Sequence, residues 1–123
     1  MKRGLVLFAH GSRDPKWAAP LHDLARRLAT RDAHTEVRVA FLELQRPTLA
    51  DAIDELGAAC SRIDVLPVFW NSTGHVASDL LPLIARARAA RGSLDIRVLP
   101  TLSELPGLLD FVAERSLALT RTA

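Results

Sequence analysis

A chain of 123 residues, 49% of them hydrophobic, can close one core without disulfides or a structural metal. A formal charge of only +2, arginines spread along the chain and the lack of any tyrosine argue against a nucleic-acid surface, and no apolar run nears the roughly 20 residues that cross a bilayer. One cysteine, Cys60, rules out an internal disulfide and makes a structural zinc centre improbable on ligand count.

Residues 1–123 read as one domain. Met1, Lys2 and Arg3 lead into an apolar run, Gly4 to Ala9, with no small-residue cleavage site behind it. That stretch is expected to be a strand rather than an export signal, and the protein is expected to stay in the cytoplasm. Lys16 to Ala29 then sets Leu21, Leu24, Ala25 and Leu28 at helical spacing. A second strand is predicted over Glu36 to Leu42, and a second helix over Leu49 to Cys60, with Ile53, Leu56 and the Cys60 thiol on its apolar side. The third strand, Ile63 to Phe69, contains Pro67, which removes a ladder donor and calls for a gap, an edge or a bulge. A third helix runs from about His75 to Arg91 with Gly92 as its stop, and Pro82 inside it predicts a kink or a later start. A fourth strand over Asp95 to Leu99 and a helix from about Pro106 to Leu119 complete the series. Strands alternating with helices predict an α/β fold, a parallel sheet covered by helices on both faces.

In such sheets ligands bind beyond the carboxyl ends of the strands, where the winding order reverses. His10 and Gly11 follow the first strand, Glu43 and Gln45 the second, and Asn71 to His75 the third, so all three groups belong to one rim. If strands one and three are neighbours, His10 and His75 converge. His22, on a helix, and His34, in a polar turn, read as solvated. A lone rim histidine is ordinarily a hydrogen-bonded structural residue; two beside glycines make a metal role competitive. Imidazole suits Co, Ni, Fe and Zn, and two protein ligands leave coordination positions open for an ion in transit. Asp79, four residues after His75, shares its helix face and either orients the imidazole or complements the helix dipole. Phosphotransfer by a histidine after strand one is disfavoured because Ala9 stands where an arginine would be expected, and the loop from Gly11 to Pro15 lacks the glycine pattern of a phosphate cradle.

Three segments, LVLFAHGSRDP from Leu5, AFLELQRP from Ala40 and LPVFWNSTGHVASD from Leu66, together resemble the short sirohydrochlorin chelatases. The resemblance implies a flavodoxin-like, chelatase-like three-layer sandwich with a four-stranded parallel sheet in the order 2-1-3-4, and homodimers. It implies insertion of Co²⁺ or Fe²⁺, or of Ni²⁺, into sirohydrochlorin or a related acidic tetrapyrrole, with the metal as substrate, no organic cofactor, and no nucleic-acid or membrane partner. His10 and His75 match the family's metal-binding histidines and Glu43 its acidic residue, the group expected to accept protons or complete the coordination shell. Arg13, Lys16 and Arg46 are the cations nearest the rim for the substrate carboxylates. Ser12, Arg13, Arg46, Trp70 and Thr73 are expected to line the substrate. Trp70 to Thr73 stand where the family is richer in glycine, and Trp70 is expected to narrow or cap the cleft. The alternative is a carrier that binds metal or tetrapyrrole without catalysing insertion.

Overall fold

The computed structural model describes residues 2–71 and 75–122, with residues 75–77 described by their backbone alone. Four strands, β1 (Lys2–Ala9), β2 (Thr35–Phe41), β3 (Cys60–Pro67) and β4 (Asp95–Val98), alternate with helices α1 (Ala19–Arg31), α2 (Leu49–Gly57), α3 (His75–Ala90) and α4 (Leu108–Thr120). All strand pairs are parallel, in the order β2-β1-β3-β4. None of the described helices is long and apolar enough to cross a membrane.

Side-chain alternation along the strands divides the core in two. On one face Val6, Phe8, Ile63, Val65 and Ile96 meet Ile53 and Leu56 of α2 and Leu80 and Ile84 of α3. On the other Leu7, Ala9, Val39 and Phe41 meet Ala18 and Leu21. Each fully buried Leu, Ile or Phe stabilises the fold by about 1.5–3 kcal/mol. The second face is covered less: α1 lies over β2, and Leu66 and Val68 of the β3 side remain only partly buried.

Element boundaries differ from expectation for local reasons. α1 starts at Ala19 rather than Lys16, because Asp14 holds the preceding residues in turns: its Oδ1 accepts from Lys16 N at 2.9 Å and its carbonyl from Trp17 N at 3.1 Å. α2 ends at Gly57, and Cys60 opens β3 instead of closing the helix, though its thiol is buried as expected, 1% exposed. The apolar spacing that runs through Cys60 belongs half to a helix and half to a strand. Pro67 is the last residue of β3, so its missing N–H falls where the ladder ends. α3 starts at His75 and continues through Pro82, which removes the reading of a late start.

α4 departs most. A single 3-10 turn, Leu102–Glu104, and Gly107 at φ 85° precede it, and no residue of the helix is buried. Leu109, Phe111, Val112, Leu117 and Leu119 are all exposed. The sheet face beside α1 therefore lacks the helix that the alternation of elements promised it.

Candidate active site

β1 lies between β2 and β3, and the chain leaves it in opposite directions, so the winding reverses between β1 and β3. His10 follows the end of β1 there, and α3 begins with His75 beyond the end of β3. The backbone thus brings both histidines to one rim. Thr73 and the His75 side chain lie outside the described residues.

Backbone hydrogen bonds carry the β1–β2 pairing past the strand ends: Leu42 N donates to Ala9 O at 2.9 Å and Glu43 N to His10 O at 3.1 Å. The two residues are thereby held side by side, with His10 Nε2 3.5 Å from Glu43 Oε1 and both side chains about half exposed. His10 Nδ1 is 3.3 Å from Gly11 O. Gly11 makes this approach possible. Its φ is 101°, and a Cβ at this position would sit 1.9 Å from Glu43 O. The second loop turns back at Leu44, φ 68°, and closes through Phe41 N donating to Pro47 O at 3.0 Å. Thr48 then caps α2, its hydroxyl accepting from Asp51 N.

Ser12 ties the loops together by donating its backbone N–H to Gln45 Oε1 at 2.9 Å, while its hydroxyl accepts from Asp14 N. The Ser12 hydroxyl is thus already engaged in its own turn. Arg13, Lys16 and Arg46 are exposed and hold no ion pair among the described residues, which leaves their charges available to an anionic ligand. Trp70 is 56% exposed at the end of β3, and its carbonyl accepts from Ser103 N at 2.8 Å. His22 is exposed on α1, its ring edge-on to Phe41, and His34 is exposed in the turn before β2.

Two cavities flank the rim. One, about 350 Å³, is shared by Glu43, Asp79, Pro82 and Arg86; the other, about 230 Å³, opens between Phe69, Leu80 and Val98. A wider cavity of about 590 Å³ lies at the amino end of the sheet, around Ser61, Arg91 and Ser93, at the opposite end from His10. Its size does not make it the site, since ligand sites in this topology open at the carboxyl ends. Among the described residues no third His, Cys, Asp or Glu joins His10 and Glu43. Sequence reasoning missed Gln45 as the tie between loops, and missed Arg86, which lies two turns beyond Asp79 on the same helix face.

The family model CbiX matches residues 4–119. The sirohydrochlorin cobaltochelatase of Methanosarcina barkeri is 29% identical over 96 residues, spanning 77% of this chain and 74% of that protein. That of Methanothermobacter thermautotrophicus is 32% identical over 92 residues, 74% of this chain and 64% of that protein. Among solved structures, the putative cobalamin biosynthesis CbiX protein from Marinobacter aquaeolei superposes with a TM-score of 0.80 at 26% identity, over 99% of this chain and 98% of that one. The sirohydrochlorin chelatase SirB from Bacillus subtilis, in complex with cobalt, has a TM-score of 0.79 at 23% identity; this chain spans 51% of it, and the likeness there is one of fold.

Proposed function

The chain belongs to the CbiX family, and on that premise we propose that it is a sirohydrochlorin chelatase, inserting Co²⁺ or Fe²⁺, with Ni²⁺ as a third cargo to test, into sirohydrochlorin or a related acidic tetrapyrrole. The observation that carries this reading is the pairing of His10 Nε2 with Glu43 Oε1 at 3.5 Å, at the switch point and one strand away from the start of α3 at His75. The sole cysteine, buried and unbridged, suits a reducing cytoplasm.

Insertion exchanges two pyrrole N–H bonds for bonds from nitrogen to metal and releases two protons, with no change of oxidation state, so the reaction calls for no organic cofactor. When His10 donates its Nδ1–H to Gly11 O, the Nε2 lone pair faces the Glu43 carboxylate. Two electron-pair donors at that distance repel unless a cation or a proton lies between them. The incoming ion is such a cation, with His75 as its second proposed imidazole ligand; once it has moved into the ring, a pyrrole proton is another. Arg13, Lys16 and Arg46 engage the substrate carboxylates, and Ser12 and Trp70 line the approach.

The test is the anaerobic rate of sirohydrochlorin metallation, followed by absorbance with Co²⁺ and with Fe²⁺. Acceleration over the uncatalysed rate is the expected result, and the two rates rank the metals. Tight binding of the finished metallated ring without acceleration would establish the carrier instead.

We also read the chain as a homodimer. A shallow rim suits a large ring only when two rims face each other, and α4 offers the means. Leu108, partly buried, and the exposed Leu109, Val112, Leu117 and Leu119 share one half of its circumference. The under-covered sheet face offers a groove of about 360 Å³ between Trp17, Leu24 and Val68. In a symmetric pair each α4 covers the partner's open face. Light scattering is expected to give the mass of two chains. Leu109→Glu with Leu117→Glu is expected to weaken pairing by at least about a hundredfold, since each buried leucine contributes about 1.5–3 kcal/mol. A native mass of one chain would remove the dimer.

A further inference from the structure

The loop that follows β2 holds one residue that the needs of the fold do not account for. Leu44 stands at φ 68°, in the left-handed region where a bulky apolar residue is uncommon and glycine or asparagine is at ease. The loop around it is pinned: Glu43 N donates to His10 O at 3.1 Å, Ser12 N to Gln45 Oε1 at 2.9 Å and Phe41 N to Pro47 O at 3.0 Å. These bonds impose the conformation but not the leucine. Leu44 is 53% exposed and belongs to neither core cluster, so burial does not offset the strain. Residues held in such conformations gather at ligand sites, where the surrounding structure keeps them in place.

The neighbours of Leu44 point to the kind of ligand. β2 and β3 flank β1, and counting on from the pairs Ala9–Phe41 and Phe8–Pro67 puts His10 level with Leu42 on one side and Phe69 on the other. Leu44 and Trp70 follow just beyond that level, each more than half exposed. Neighbouring strands lie about 4.8 Å apart, so a flat ligand resting over His10 reaches both. Arg13 and Lys16 stand in the loop after β1 and Arg46 in the loop after β2, without ion pairs among the described residues. Apolar side chains bordered by cations suit a ring with apolar faces and carboxylates at its edge, and suit a hydrated ion poorly. We propose that Leu44 is a substrate-binding residue, an apolar seat beside His10 for the flat face of the tetrapyrrole. This rests on the chelatase reading and deepens it: Leu44 serves recognition of the ring and not of the metal.

Leu44→Asn separates the contact from the conformation, since asparagine tolerates φ 68° and offers no apolar surface. The native chain, Leu44→Asn and Leu44→Met are titrated with metal-free sirohydrochlorin, followed by the fluorescence of the ring, beside a thermal melt and light scattering of each. Leu44→Asn is expected to melt no lower than the native chain, to keep its mass, and to bind the ring about tenfold more weakly, as the loss of most of one leucine's burial implies. The KM for the ring is expected to rise with it, while the KM for Co²⁺ does not follow. Leu44→Met keeps an apolar side chain of similar volume and is expected to bind the ring more tightly than Leu44→Asn. Ring binding by Leu44→Asn equal to the native would overturn the inference, and so would a fall in its melting temperature or mass, which would assign Leu44 to the fold or to a contact between copies. A native chain that does not bind the ring would overturn it as well. Insertion rates report on the other reading: a native chain that binds the ring through Leu44 without accelerating insertion is a carrier, and the seat stands.

Discussion

His10→Ala is expected to lower the rate of metal insertion by at least about a hundredfold and to leave the fold intact. The side chain is about half exposed and belongs to neither core cluster, so its removal opens no cavity. What it removes is the nitrogen that faces Glu43 at 3.5 Å. Losing a group that merely orients a ligand costs 10–100-fold in metal affinity or activity, and losing the ligand itself costs more. The same magnitude is expected for His75→Ala. Rates measured with each metal, beside a thermal melt that matches the native one, check both variants; native rates in either would remove that histidine from the metal path. Glu43→Gln separates the two tasks of the carboxylate, because it keeps the shape and abolishes proton acceptance.

Gly11→Ala is the expected worst case for stability on the rim. The added Cβ would fall 1.9 Å from Glu43 O, and the backbone at φ 101° disfavours any side chain. The obstacle is the carbonyl of a loop pinned at both ends, by Glu43 N to His10 O and by Ser12 N to Gln45 Oε1, so neither strand end can yield alone. A loss of at least about 2 kcal/mol is expected, or roughly 8 °C in Tm for a domain of this size. The His10–Glu43 pair would part as the loops separate, taking insertion activity with it. Gly92→Ala is the control, since a Cβ there meets nothing within 4 Å. Equal melting of the two variants would mean that the loops are not locked as described.

The α/β class and the rim were legible in the sequence because both follow from coarse rules: apolar runs alternate with helical spacing, and parallel topology sends every strand's carboxyl end to one side; the strand order came from the resemblance, since alternation alone leaves open which strands are neighbours. His10 beside Glu43 followed from the same placement. Cys60 was not legible, because Ile53, Leu56 and Cys60 keep a helical interval across the point where α2 has already ended. Periodicity alone does not separate a buried helix turn from the start of a buried strand. The lock between Ser12 and Gln45 was hidden for another reason: it joins residues 33 apart through a side-chain amide, which no local pattern announces. The exposure of α4 was hidden too. Its apolar residues look like those of any core-facing helix, and only the fold shows that none of the described residues covers them.

The burial of Cys60 bears on how freely an ion can pass through. Thiolate is the donor that would hold cobalt or iron most stubbornly, and a protein that hands its cargo on must not retain it. Here the sole thiol starts β3 at the amino end of the sheet, opposite the histidines, and burial pushes its pKa up, which favours the protonated form that binds metal poorly. On the chelatase reading proposed above, an arriving ion would meet imidazole and carboxylate, with the thiol kept at the other end of the sheet. The placement of the one cysteine would keep sulfur out of the path of such a cargo.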